Sequence, residues 1–289
     1  MRALNSGFEE TAVENNLPTL DILPVENIFP HEYYDEQRAR PLMEKLRTAG
    51  VLKNPPIVMP FCDGSHRYMI LDGTNRVTAV RLLGIPHIIV QVVEPNAPGL
   101  ALRTWNHVVW GLTPENLLLG LQETVPRLRP SVSLALSVAA LHERKLMLVV
   151  SLPDGRVFSA PPEDDEIATI ATLNAAVQSY QRRAALDRTN EHDAQVLKAL
   201  YPDISGVVIF PPFKVKQVQR LVSEGHLLPP GITRFIVSPR ALRVNYSLEA
   251  LAAPISLEEK RAQLRAWLQE RLAAKGVRYY AEATVLYDD

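Results

Sequence analysis

The sequence predicts an α+β protein in two regions, and three observations carry that expectation. Over the N-terminal third, short apolar runs alternate with helical spacing in the order β-α-β-β-α-β. At 95–99 a Pro-Asn-Ala-Pro-Gly stretch interrupts the pattern as a linker does. Beyond it, strand and helix signals mix without an internal repeat. The expected organisation is a mobile leader at 1–16, a first domain at 17–95, and a mixed α/β region at 96–289 that ends in an amphipathic helix.

In chain order, LDILPVENIFP holds a short strand-like run ending at Pro30, and HEYYDEQRARPLMEKLRTAG places Leu42, Met43 and Leu46 at helical spacing before Gly50 stops the helix. Asp63-Gly64 sits between two apolar runs, the signal of a hairpin. Val77, Ala79, Val80 and Leu83 then fit a helix ended by Gly84, and IIVQVV reads as a strand. In the second region the signals are a strand over 103–110, a helix near 114–122, a hairpin around Asp154-Gly155, and a helix over 165–186. A buried strand at VVIFPPF follows, with a helix over 214–224 ended by Gly225, strands at ITRFIV and ALRVNYS, and a helix over 257–275. Leu264, Trp267, Leu268 and Leu272 give that last helix an apolar face, which suits core packing or a homodimer contact equally.

Composition narrows the function classes. The chain has 289 residues, 47% of them hydrophobic and 22% charged, which is enough apolar material for a core. A formal net charge of -1 encodes no bulk attraction to nucleic acid or to an anionic membrane. One cysteine, Cys62, excludes an intramolecular disulfide and a cysteine-built metal site within one chain. The N-terminus is polar and acidic, unlike a signal peptide, and no apolar run is long enough to span a membrane, so a cytoplasmic protein is expected.

The stretch most informative about chemistry is Leu71 to Gly84. An Asp-Gly pair closes a strand, and Thr74, Asn75 and Arg76 open a helix, whose free N–H groups and positive dipole end favour phosphate. Gly73 lets the backbone come close to a phosphate, and Arg76 carries a fork of donors suited to its oxygens. A plain turn and a helix capped by Thr74 or Asp72 explain the same residues as well. Asp63-Gly64-Ser65-His66-Arg67 repeats the pattern, but a strand follows it rather than a helix, so it reads as a hairpin turn.

With these residues in view, the chain resembles the ParB/sulfiredoxin-like superfamily, in which a strand-Asp-Gly-x-x-Arg-helix turn holds nucleotide phosphates. Within it the match is closest to the free L-serine kinases that form O-phosphoserine for siderophore and cysteine synthesis. The matching motifs are Pro30-His31-Glu32, Asn54-Pro55-Pro56, Asp72 to Arg76, Trp105-Asn106-His107, and the segment LLPPGITRFIVSPRALRVNYSL, so the resemblance runs with gaps from about residue 20 to 255.

The resemblance implies a kinase of free L-serine with ATP or ADP as phosphoryl donor and Mg²⁺ as cofactor. Glu32 is implied as acceptor of the serine hydroxyl proton, and Asp72 as the group that positions phosphoryl and metal. Gly73, Thr74, Asn75 and Arg76 are implied as phosphate ligands, and His31, Trp105, Thr233 and Arg234 as contacts of the amino acid. Carboxylates suit the first two tasks, since they accept protons and ligate Mg²⁺ through hard oxygens. Phosphoryl transfer itself needs alignment and charge neutralisation more than covalent help.

Each residue also has a plainer role: His31 as a surface or capping residue, Trp105 as a core aromatic, Arg234 as solvated surface. One departure stands out, because Phe235 follows Thr233-Arg234 where the kinases tend to carry His. Two other function classes are available on the same scaffold. A ParB-like, DNA-associated regulator using nucleotide as a switch calls for a helix-turn-helix directly after the first domain, and a mixed region follows instead. A sulfiredoxin-like reductase calls for a cysteine on the phosphate turn, and Asp72 to Arg76 contains none.

Overall fold

The computed structural model describes residues 17–279, and the expected leader at 1–16 lies outside the described residues. The chain forms two compact units. The first comprises the described residues up to Phe29, Asp35–Gly99 and those from Val237 onward; the second comprises Pro30–Tyr34 and Leu100–Ile236. The boundary near residue 99 falls on the Pro/Gly-rich linker. The region expected as one unit over 96–289 is divided between the two, the described residues from Val237 onward clustering with the first.

The first unit follows the predicted order, with its opening strand divided and a two-residue strand added after the first helix. It contains β1 (Thr19–Pro24), β2 (Ile28–Phe29), α1 (Arg40–Ala49), β3 (Val51–Leu52), β4 (Ile57–Pro60), β5 (Tyr68–Asp72), α2 (Thr74–Leu82) and β6 (His87–Val92). Five of the strands form one sheet in the order β1-β6-β4-β5-β2, with β1 antiparallel to β6 and β4 antiparallel to β5. The pairings β4-β6, inside the sheet, and β2-β5, at its edge, are parallel. Ile22, Ile88, Ile89, Val90 and Val80 are fully buried in this core, and each such aliphatic side chain contributes roughly 1.5–3 kcal/mol by leaving water.

The second unit is built on a six-stranded antiparallel sheet. Its elements are β7 (Leu100–Thr104), β8 (Asn106–Trp110), α3 (Pro114–Thr124), β9 (Arg129–Ser131), α4 (Leu134–His142), β10 (Leu148–Ser151) and β11 (Val157–Ala160). They are followed by α5 (Glu166–Gln181), β12 (Ala185–Thr189), α6 (Ala194–Leu197), β13 (Ile204–Ile209), α7 (Val215–Ser223) and β14 (Thr233–Val237). The sheet order is β12-β8-β13-β10-β11-β9, and β14 pairs separately with β7. The fully buried β13, with six consecutive buried residues, explains why VVIF reads as a core strand. The single strand expected over 103–110 is two, divided at Trp105, whose amide donates to the Ile232 carbonyl at 2.9 Å. The helix expected over 165–186 ends at Gln181, and Ala185–Thr189 pairs with β8 instead.

After β14 the chain completes the first unit with β15 (Tyr246–Ser247), α8 (Leu248–Ala252) and α9 (Leu257–Ala273). ALRVNYS, expected as a strand, is strand only at its last two residues. The Ala241 amide donates to Gln91 Oε1 at 2.9 Å and the Arg243 amide to Asn54 Oδ1 at 2.8 Å, so side chains take the place of a neighbouring strand. Arg243 and Asn245 also adopt positive φ, which interrupts extended backbone. Helix α9 starts at a reciprocal Ser256/Glu259 cap. It packs Leu264 into the core of the first unit, stacks Trp267 edge-on against Tyr246, and ties Arg261 to Asp21 at 2.9 Å.

Candidate active site

Two groups of side chains gather the residues expected to act, one in each unit. In the second unit, Pro30–Tyr34 lies alongside the segment before β14. Leu228 donates its amide to the His31 carbonyl at 2.9 Å, and Tyr33 donates its amide to the Leu228 carbonyl at 3.0 Å. This short parallel bridge brings Glu32 to the turn that leads into β14. There its carboxylate accepts three hydrogen bonds. Oε1 takes the Thr233 amide at 2.7 Å and the Thr233 hydroxyl at 2.6 Å, and Oε2 takes the Gly231 amide at 2.7 Å.

The network extends one residue further. His31 Nε2 lies 2.6 Å from Thr233 Oγ1. An ionised carboxylate only accepts, so the Thr233 proton goes to Glu32 and the His31 contact requires an Nε2–H donor. His31 is buried, and its ring meets Phe235 edge-on with centroids 5.1 Å apart. Phe235 therefore packs against the histidine that polarises Thr233. Gly231 at φ 81° has its place in this arrangement, because a Cβ there would come within 2.9 Å of the Arg188 guanidinium.

Strand alternation separates the residues expected to contact the amino acid. Thr233 and Phe235 touch His31 on one face of β14. Arg234 lies with its guanidinium 4.4 Å from the centre of the Trp105 ring, a cation-π contact. With Ile236, Asn106, His142 and His192 it lines a cavity of about 570 Å³. The structure thus joins His31, Glu32 and Thr233 in one network and Trp105 with Arg234 in another.

In the first unit, β5 ends at Asp72 and α2 begins at Thr74, with Gly73 between them at φ 99° as the N-cap. That left-handed conformation favours glycine, and no side chain caps the helix. The Arg76 and Val77 amides both bond the Gly73 carbonyl, at 2.9 and 3.1 Å, and the Thr74 and Asn75 amides have no acceptor among the described residues. Two open N–H groups at the positive end of a nine-residue helix form a ready seat for phosphate.

Arg76 proves to be committed to the fold. Its Nη1 donates to the carbonyls of Asn54 and Pro55, both at 3.0 Å, and its Nη2 to Asp72 Oδ2 at 3.0 Å. The same Asp72 oxygen accepts from Arg240, a residue the sequence reading passed over inside the segment SPRALR. Burial alone would raise the Asp72 carboxyl, but the Arg76 and Arg240 charges and hydrogen bonds outweigh it and hold it below the usual carboxylate value. Asp72 is thereby kept ionised at neutral pH.

Sequence reading also passed over His107, although it lies in the quoted Trp-Asn-His motif. His107 is fully buried, with Nδ1 2.8 Å from the Tyr180 hydroxyl and its ring edge-on to Phe210. The Pro230–Gly231 backbone borders it, and Nε2 is buried without a well-formed hydrogen bond. Burial first, then the Arg188 charge, push its pKa down to about 3. The Asp63 turn is the hairpin expected of it: Phe61 donates its amide to the Arg67 carbonyl, and Asp63 bonds Ser65 and Arg67.

Among the described residues, no cluster of three or more His, Cys, Asp or Glu side chains is arranged to hold a metal, and no helix is long and apolar enough to cross a membrane. No family model matches the chain. It is 24% identical over 275 residues to a Staphylococcus aureus protein named ATP-dependent L-serine kinase SbnI, covering 93% of this chain and 97% of that one. A Staphylothermus marinus protein named ATP-dependent L-serine kinase is 36% identical over 93 residues, which is 31% of this chain and 35% of its own. The fold is that of solved structures of the same kind. C-terminally truncated SbnI from Staphylococcus aureus aligns with a TM-score of 0.69 at 22% identity, over 89% of this chain and 97% of the other. A free serine kinase in complex with AMP aligns at 0.67 and 15% identity, over 82% and 94%.

Proposed function

We propose that this chain is a kinase of free L-serine, transferring the terminal phosphoryl group of ATP to the serine hydroxyl to give O-phospho-L-serine. The observation that carries the reading is Glu32. Its Oε1 already accepts two hydrogen bonds and its Oε2 one. Of about four acceptor positions on a carboxylate, the one left open is on Oε2. That oxygen takes the proton of the serine hydroxyl, the serine oxygen bonds to the terminal phosphorus, and the bond from that phosphorus to the bridging oxygen of ATP breaks to release ADP. Support for the substrates comes from the relatives named ATP-dependent L-serine kinase, one of them matched over 93% of this chain.

The phosphates are assigned to the Thr74 and Asn75 amides at the start of α2. Gly73 opens the backbone there and Arg76 braces the turn through Asn54, Pro55 and Asp72. Mg²⁺ fits this turn as an ion carried by the nucleotide, since Mg²⁺ sites commonly use one or two carboxylates together with phosphates and water. Asp72 is the carboxylate that would hold it, and the ion would neutralise charge on the phosphates. His31 orients Thr233, and Thr233 orients Glu32. A DNA-associated nucleotide switch fits less well, because Leu100–Thr104 and Asn106–Trp110 are strands where a helix-turn-helix would follow.

The test is a mass-spectrometric assay of the purified chain with Mg²⁺, L-serine and either ATP or ADP. Formation of O-phosphoserine with the matching product nucleotide is expected with ATP. Absence of product with both donors, in a chain that still binds nucleotide, would refute the serine kinase.

A further inference from the structure

The phosphate turn carries two guanidinium groups on one carboxylate oxygen, and they differ in how much else they do. Arg76 is one-fifth exposed and closes two backbone carbonyls, Asn54 and Pro55, besides Asp72. Moving it would strand both carbonyls, which is costly in a partly buried place. Arg240 is two-fifths exposed, and Asp72 is its one hydrogen-bond partner among the described residues.

The backbone that carries Arg240 is held on both sides. Gln91 Nε2 donates to the Pro239 carbonyl at 2.8 Å, and Gln91 Oε1 accepts the Ala241 amide at 2.9 Å, so one buried side chain brackets the residue. Asn54, whose carbonyl anchors Arg76, also accepts the Arg243 amide through Oδ1 at 2.8 Å. A fixed main chain with a side chain free to change partner is what an exchangeable contact needs. The exposed ion pair with Asp72 is weak and easily replaced. A phosphate offers more charge and a better match to the planar fork of arginine.

We propose that Arg240 is a nucleotide-phosphate ligand: it rests on Asp72 in the free protein and moves to the phosphates when the nucleotide binds, while Arg76 stays in place as the brace of the turn. The inference rests on the reading of Gly73 to Arg76 as a phosphate seat. It adds a ligand from a segment more than 160 positions further along the chain and gives Asp72 a resting partner that nucleotide binding removes.

The experiment is calorimetric titration of the full chain with ATP and, separately, adenosine, in wild type, Arg240→Ala and Arg240→Gln. ATP affinity is expected to fall about 10- to 100-fold in both variants, the loss of a charge-assisted contact, with adenosine affinity unchanged. Arg240→Gln keeps a donor near Asp72, so it carries the test if the alanine variant does not fold. Equal ATP affinity in wild type and Arg240→Gln, or a parallel loss of ATP and adenosine, would overturn the assignment of Arg240. A wild-type chain that binds ATP no better than adenosine would instead remove the phosphate seat on which the inference rests.

Discussion

Thr233 holds Glu32 by two hydrogen bonds on a single carboxylate oxygen, one from its amide and one from its hydroxyl, at 2.7 and 2.6 Å. The amide bond depends only on the backbone, whereas the hydroxyl bond also links Glu32 to His31. The two can therefore be separated by mutation. Thr233→Val keeps the amide and the shape but removes the hydroxyl, so Glu32 Oε1 loses one of its two hydrogen bonds and the link to His31 is broken. We expect kcat to fall about 10-fold, as for loss of one hydrogen bond of about 1.4 kcal/mol, with ATP affinity unchanged and Thr233→Ser close to wild type. A valine variant as fast as wild type would show that the hydroxyl plays no part in orienting Glu32.

Glu32→Gln removes the proposed proton acceptor. It also turns an NH₂ group towards one of the three donors that now point at the carboxylate. Two effects follow: phosphoryl transfer drops by at least about 100-fold, and the fold loses about 1–3 kcal/mol from the mismatched buried donor. Nucleotide affinity should stay close to wild type. Steady-state assay, thermal melting and ATP titration separate the three quantities. Retained transfer, or loss of nucleotide binding in its place, would remove Glu32 from the role of base.

Much of this arrangement was legible in the sequence where local signals and chemistry agree. Asp72-Gly73 followed by an apolar-faced helix marked the turn and the helix start, though not whether Thr74 or Asp72 would cap it, and the Asp154-Gly155 hairpin was equally plain. What escaped were elements whose pattern depends on distant partners. Leu134–His142 is apolar nearly all round, with Leu136 exposed, so its spacing shows no single face. Ala185–Thr189 is a polar edge strand whose residues are as compatible with helix, and pairing with β8 decides its state.

The site was legible in a similar degree. Glu32 and Asp72 stood out through the resemblance, and a carboxylate suits both proposed tasks, but the partners that set their geometry lie far along the chain. Arg240 meets Asp72 across 168 positions and Thr233 meets Glu32 across 201. No local pattern marks such contacts. Strand alternation within Thr233-Arg234-Phe235 was the one signal in the sequence that could have separated Arg234 from Thr233.

Asp72→Asn tests the balance of charge on the phosphate turn. The carboxylate neutralises Arg76 and Arg240 in the free protein and is held ionised by them. Without metal, removing it deletes a negative charge beside the phosphate seat, and ATP should bind several-fold more tightly in EDTA. With Mg²⁺ present, transfer should fall by about 100-fold or more, as the turn loses the carboxylate proposed to hold the ion. Calorimetry in EDTA and the O-phosphoserine assay read the two effects. Weaker ATP binding in EDTA would mean that Asp72 serves chiefly to hold the turn in shape.

His107 supplies a pH dependence of stability whose sign can be worked out. Its folded pKa is pushed down to about 3 by burial and by Arg188, whereas an unfolded histidine titrates near about 6.5. Between those values the unfolded chain holds a proton that the folded chain does not. Stability contributed by the neutral, buried ring is therefore complete above the unfolded value and is lost as pH falls towards the folded one, at up to about 1.4 kcal/mol per pH unit. His107→Phe keeps a ring against Phe210 but cannot bond the Tyr180 hydroxyl, so it should be less stable at pH 8 by about 1–3 kcal/mol. Between pH 6.5 and 5 its stability should fall less steeply than that of wild type, by up to about one proton's worth. Denaturant unfolding across that range measures both slopes, and equal slopes would place the acid sensitivity of the fold elsewhere than at this ring.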